Sequence, residues 1–189
     1  LPLARYAHIY QRNFMVAPLD RARDLPAGRA QASAFIDSWN DRRQEEAAQV
    51  IGRAYHGHID SDINDQYRSV TGARRFLTNI VQYPGCGTFF APASYLAYRR
   101  VDGRLCGICL ASLVAARSGH ITQVCVDPEL HGTGVGYELM RRSMQSLAAN
   151  GCTEASLTVT SCNEQAVHLY ERLGFETRRH FGAYVWDGF

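Results

Sequence analysis

An apolar strand, a glycine-rich turn and an amphipathic helix follow one another without a break between His120 and Asn150. Val124-Cys125-Val126 leads through Asp127-Pro128-Glu129-Leu130 into His131-Gly132-Thr133-Gly134-Val135-Gly136-Tyr137. Leu139, Met140, Met144 and Leu147 then recur at helical spacing until Asn150-Gly151 ends the helix. Glycines at such a handover permit positive φ angles and close approach, so successive N–H groups can converge on an anion, and the helix adds its positive end. This chemistry suits a diphosphate and needs no metal. A P-loop is excluded because Gly-Lys-Ser/Thr is absent; all 20 basic residues are arginine. A dinucleotide fingerprint is excluded by the G-x-G-x-G spacing, and no acidic residue ends a second parallel strand about 20 residues on.

At 189 residues and a net charge of +2, the chain reads as one compact domain with a possible appended segment, and without a general nucleic-acid or membrane surface. No apolar run approaches the roughly 20 residues of a membrane span, and no secretory signal opens the sequence, so a cytoplasmic location is expected. The absence of lysine reads as codon bias, and it removes lysine as a base or phosphate ligand. Of the six cysteines, Cys106 and Cys109 are spaced as CxxC, but within a strand that spacing predicts opposite faces and no shared metal. Small buried residues in a reducing compartment are the expectation for them.

The element pattern predicts a mixed α/β sheet, in order β-α-α-β-β-β-α-β-α-β after an opening segment, and not a doubly wound one. Residues 1–28 stand apart: Tyr6 to Leu19 has strand content, and Asp20 to Gly28 reads as a linker or long loop. The opening strand is read either as an extra edge strand or as the last piece of a preceding domain, with residues 29–189 forming the main domain. Helices are expected over 41–56 and in 62–82, strands over 34–39, 94–100, 105–115, 120–126 and 155–160, a helix over 165–173, and one or two closing strands over 175–186. Asp102-Gly103 marks a hairpin.

A second segment, Asn163-Glu164-Gln165-Ala166-Val167-His168-Leu169-Tyr170-Glu171-Arg172-Leu173-Gly174-Phe175, begins about thirty residues after the turn. If Asn163 caps the helix, Tyr170 lies two turns along on nearly the same face. Together the two segments resemble the cofactor site of the GNAT superfamily of N-acetyltransferases. The family motif Arg/Gln-x-x-Gly-x-Gly/Ala is matched by His131 to Gly136, with His131 in place of the usual Arg or Gln; a histidine can still donate to phosphate. The resemblance covers roughly residues 32–186.

The resemblance implies a mostly antiparallel sheet flanked by helices, in which the strands at 120–126 and 155–160 part to hold acetyl-CoA. Val124 and Val126 would pair with the pantetheine amides, with Cys125 between them, and the N–H near Val124 would face the thioester oxygen. The turn residues through Tyr137 would take the diphosphate, Arg172 the ribose 3′-phosphate, and Tyr170 would protonate the departing thiolate. Packing beside Leu169 and Leu173 is the alternative role for Tyr170. For the base, the family's two usual glutamate positions fall on Thr158 and His120. His120, with an ordinary pKa of about 6.5, and a water chain are the two candidates. His56, His58 and Asp60 are expected to line the acceptor pocket.

The expected activity is direct transfer from acetyl-CoA to a primary amine, on a small molecule or a peptide N-terminus. A non-catalytic acyl-CoA-binding domain is the competing reading. The first two helices and the loop from Tyr83 to Phe90 should decide the acceptor. A homodimer and a missing N-terminal domain are both compatible with the chain.

Overall fold

A computed structural model describes residues 7–186. Eight strands form one sheet in the order β2-β4-β5-β6-β7-β1-β8, with the two-residue β3 pairing beside β5. The strands are β1 (Ala7–Pro18), β2 (Ala34–Ser38), β3 (Thr88–Phe89), β4 (Tyr95–Arg99), β5 (Leu105–Ala115), β6 (Ser118–Val126), β7 (Glu154–Thr160) and β8 (Glu176–Trp186). Every pairing is antiparallel except β6 with β7. The helices are α1 (Gln44–Ala54), α2 (Asp60–Ile63), α3 (Val70–Gln82), α4 (Val135–Ala149) and α5 (Glu164–Arg172). The mixed, mostly antiparallel sheet expected from the sequence is the sheet observed.

Two apolar layers sandwich the sheet. On one face Ala47, Val50 and Ile51 of α1 and Ala73, Leu77 and Ile80 of α3 pack on Leu96, Ile108, Leu110 and Cys125. On the other, Leu139, Met140, Met144 and Leu147 of α4 pack with Met15, Ala17, Ala155, Leu157 and Val159. Residues 105–112 of β5 are buried throughout, because both faces of this central strand are covered. Asn40 caps a short 3-10 turn ahead of α1, its side chain accepting from Arg42 N at 3.0 Å. Among the described residues no helix is long and apolar enough to cross a membrane.

Three sequence expectations meet a different structure. The opening strand β1 lies inside the sheet, with β7 on one side and β8 on the other. Arg12 therefore opposes Thr160 and Phe181 at once. The loop after β1 is strapped along α4: Tyr137 Oη donates to Pro26 O at 3.0 Å, Gly28 N to Glu138 Oε2 at 3.0 Å, and Gln145 Nε2 to Ala22 O at 3.2 Å.

Cys106 and Cys109 do not fall on opposite faces; both pack into the α4-side cluster. The register against β4 slips between Ala97↔Gly107 and Tyr98↔Leu105, so Cys106 is an extra, bulged residue that resets the alternation. Its thiol donates to Ala97 O at 3.2 Å, and burial pushes both thiols up to about 12. Finally, the second helical region is split into α2, a 3-10 turn over Asp65–Arg68, and α3; of the one or two closing strands expected, one is present, β8.

Candidate active site

The site forms where β6 and β7 part. Their parallel pairing is confined to Ser118↔Glu154, Gly119↔Ala155 and His120↔Ser156. Beyond that rung β6 continues to Val126 on its β5 side alone, and β7 continues to Thr160 against β1 alone. The facing edges between them carry unpaired backbone groups, which in a sheet must meet a ligand, water or another strand.

Which groups face this gap follows from the ladder. Asp127 N donates to Cys106 O at 2.7 Å, and N–H groups alternate sides along a strand. Gln123 and Cys125 therefore bond toward β5, while Val124 and Val126 present N–H and C=O to the gap. Cys125 contributes no backbone group there, and its buried side chain belongs to the α1 layer.

The chain then passes through a 3-10 turn, Pro128–Leu130, to His131 and the glycines. Gly132 and Gly134 hold φ of +77° and +87°, a region that side chains with a Cβ rarely enter. Gly134 is the residue before α4, and no side chain caps that helix end. The first intrahelical bond is Glu138 N to Gly134 O, leaving the N–H groups of Gly134, Val135, Gly136 and Tyr137 without helical partners. An added Cβ on Gly136 would sit 3.6 Å from Leu169 and 3.7 Å from Val126, so the turn lies between β6 and α5. Thr133 Oγ1 is turned to Leu130 O at 2.6 Å.

Two side chains in the turn are occupied elsewhere. His131 Nε2 lies 3.1 Å from Val126 O. A carbonyl only accepts, so Nε2 carries the proton, and His131 closes back onto the strand edge. Tyr137 spends its hydroxyl on Pro26, and its ring lies under the Arg172 guanidinium, 5.5 Å from the centroid. The stack places Arg172 beside the turn.

Asn163 caps α5, its Oδ1 accepting from Ala166 N at 3.3 Å. Tyr170 follows on the inner face, 8% exposed and edge-on to Phe175. Its hydroxyl makes no hydrogen bond among the described residues. Burial raises the phenol above its usual pKa, reinforced by the neighbouring Cys109, Asp60 and Cys125, so it stays protonated at neutral pH.

His120 stands at the vertex of the gap. Its Nδ1 is 2.9 Å from Ser156 Oγ, and Ser156 Oγ donates to Gly119 O at 3.3 Å. With the serine proton so placed, Nδ1 is the N–H and Nε2 keeps its lone pair. Burial lowers the imidazole below its usual 6.5, favouring the neutral form. Ser112 opposes His120 from β5, and its Oγ is buried without a hydrogen-bond partner.

The wall opposite is a group the sequence reading passed over. Gln123 accepts from Tyr67 Oη at 2.9 Å and donates to Tyr55 Oη at 2.8 Å, clamping two rings that stack 4.1 Å apart. The only sequence signal was two tyrosines flanking the break after α1. His58 and Asp60 join this wall: Asp60 N donates to His58 Nδ1 at 3.1 Å, His58 Nε2 lies 3.4 Å from Asn163 Nδ2, and Asp60 Oδ1 accepts from Thr160 Oγ1. His56 is exposed. Asp127, also unremarked in the sequence, is 1% exposed and anchors α1 through Arg53, Nε to Oδ1 at 2.8 Å. Among the described residues no cluster of three or more potential ligands could hold a metal.

A parted parallel strand pair, a turn of N–H groups without helical partners and the buried Tyr170 of α5 are features with which a protein can accept an extended ligand with an anionic end. The chain belongs to the acetyltransferase (GNAT) family, whose model matches residues 58–175. A mycothiol acetyltransferase of Acidimicrobium ferrooxidans is 36% identical over 103 residues, covering 52% of this chain and 33% of that protein. A chloroplastic GCN5-related N-acetyltransferase 7 of Arabidopsis thaliana is 42% identical over 57 residues, covering 30% of this chain and 21% of that protein. The chain thus spans a third or less of the length of these relatives. A GCN5-related N-acetyltransferase from Sphaerobacter thermophilus shares the fold, with a TM-score of 0.70 at 18% identity over 97% of this chain and 53% of that one.

Proposed function

We propose that this domain transfers an acetyl group from acetyl-CoA to a primary amine, directly and within a ternary complex. The observation that carries the reading is the parting of β6 from β7 beyond the His120–Ser156 rung, beside a helix end with free N–H groups. Residues of this chain fit acetyl-CoA on three counts. Val124 and Val126 offer strand-edge groups for the pantetheine amides. Gly132 to Tyr137 offer backbone N–H groups for the diphosphate. Arg172, whose stacking on Tyr137 keeps it beside the turn, would take the ribose 3′-phosphate.

When bound, acetyl-CoA supplies an activated acyl group whose leaving group is a thiolate. His120 Nε2, neutral and free, accepts a proton from the amine as it attacks; a water chain to solvent is the alternative route. The Val124 N–H stabilises charge that builds on the acyl oxygen. Tyr170 gives its proton to the departing sulfur, a task that its raised pKa suits at neutral pH.

The test is release of free CoA thiol from acetyl-CoA across a panel of small amines and peptide N-termini, with acetylated product identified by mass. Amine-dependent release is the expected result. Tight CoA binding without release for any amine would instead favour the non-catalytic acyl-CoA-binding reading.

A further inference from the structure

The side of the gap facing α2 holds an arginine, Arg12, with no ion-pair partner among the described residues. Arg12 opposes Thr160 directly across the β1–β7 ladder, so their side chains share a face. That face is opposite the α4 layer, since the neighbouring Met15 and Ala17 pack with α4. Ser156 and Thr160 are on it too, and Ser156 holds His120. Arg12 Nε is buried without a hydrogen-bond partner, and the guanidinium forms no ion pair with any described residue. The nearby carboxylate of Asp60 accepts from Thr160 and lies 3.8 Å from His58 Nδ1, and it forms no ion pair with Arg12. Arg12 lies close enough to the Tyr67 phenol for its charge to oppose the effect of burial there. Arg12 and the tyrosine wall therefore share this face of the sheet.

An arginine whose buried donor is left unmatched is costly to retain unless something completes it. Its planar fork pairs best with a carboxylate or phosphate. Thr160 is four residues beyond Ser156 along β7, which puts Arg12 about 13 Å along the sheet from the His120 rung. The long arginine side chain shortens that span.

Resting on the acetyltransferase reading for its amine, we propose that Arg12 is a specificity residue for the acceptor: the substrate is a primary amine that also bears an oxyanion several bonds from its nitrogen. The amine lies toward His120, and the oxyanion sits on the Arg12 fork. An uncharged amine of equal length leaves the buried donor unmatched and binds more weakly.

The experiment measures calorimetric binding to the protein saturated with CoA, which needs no acetyl transfer. The probes are 4-aminobutanoate, 6-aminohexanoate and O-phosphoethanolamine, set against butylamine, hexylamine and ethanolamine. The expected result is a preference for the anionic member of at least one pair, reduced about 30-fold in Arg12→Gln and partly kept in Arg12→Lys. The carboxylate and phosphate arms identify the oxyanion. CoA affinity and the thermal midpoint of each variant report that it is folded. Equal binding of charged and uncharged members, no binding by any anionic probe, or an undiminished preference in Arg12→Gln each overturns the proposal. An anion preference without thiol release would remove the transferase reading and leave this one standing.

Discussion

His120 Nδ1 and Ser156 Oγ meet at 2.9 Å on the last rung at which β6 and β7 are still paired. The contact does two things at once. It marks the vertex of the gap, and it fixes the imidazole tautomer so that Nε2 is the free lone pair.

A base held this way titrates visibly. Burial lowers the His120 pKa below 6.5, so the neutral form is fully present above that value and is lost as pH falls through the lowered pKa. The expected kcat/KM profile has an acid limb with its midpoint below 6.5. His120→Gln removes that limb and lowers turnover about 100-fold. Ser156→Ala, which frees the tautomer, lowers it about fivefold. A wild-type profile flat down to pH 5, with chemistry rate-limiting, assigns proton removal to water.

Tyr170 carries a protonated phenol with no hydrogen-bond partner among the described residues. Tyr170→Phe keeps the ring against Phe175 and deletes only the proton. Turnover is expected to fall about 100-fold while CoA affinity stays within about twofold, as read by single-turnover kinetics and calorimetry. Unchanged single-turnover rates would reduce Tyr170 to packing.

Much of this was legible in the sequence, for a physical reason. The turn from His131 to Gly136 and the cap at Asn163 are local: glycine φ and an Asx cap are set by neighbours a few residues away, so residue type announces them. Arg12, Gln123 and Tyr67 were not legible. Their roles arise from β1 entering the sheet between β7 and β8, and from α2 reaching Thr160, contacts spanning on the order of 100 residues that no local period encodes. Cys106 failed for a related reason. One bulged residue inverts every face assignment before it, and its sequence, Leu105-Cys106-Gly107, carries no mark of the bulge. His131 and Tyr137 sit at motif positions, yet their side chains turn to Val126 and Pro26, because a motif specifies backbone shape more tightly than side-chain direction.

Gly134 tests the turn itself. At φ +87° an alanine is strained by about 1–2 kcal/mol, and its Cβ would stand 3.3 Å from Arg29 N, where the strap crosses. Gly134→Ala is expected to lower CoA affinity about tenfold or more and to destabilise the fold by about that strain. Gly132→Ala meets open space, so only its positive φ of +77° is strained. Its loss of affinity should be the smaller of the two. Equal CoA affinity in wild type and Gly134→Ala would show that the ligand does not use this turn.

The strap over α4 makes the site's support sensitive to acid. Glu138 is 5% exposed, and burial alone would raise its pKa. Arg141 at 2.7 Å, the Gly28 N–H at 3.0 Å and Arg142 at 3.0 Å outweigh that and hold it at about 2. The unfolded chain protonates the same group near 4.5. The folded state therefore gains stability from this carboxylate that is complete above about 4.5 and is lost as pH falls toward about 2. Arg142 is partly exposed, which screens its share, so the contribution at pH 7 is about 2 kcal/mol. Glu138→Gln should lower unfolding stability by about that amount at pH 7, as read by denaturant titration. The difference from wild type should shrink between pH 4.5 and 3, because protonation then removes in the wild type what the substitution has already removed. A gap that stays constant down to pH 3 would mean that Glu138 acts through the shape of the strap and not through its charge.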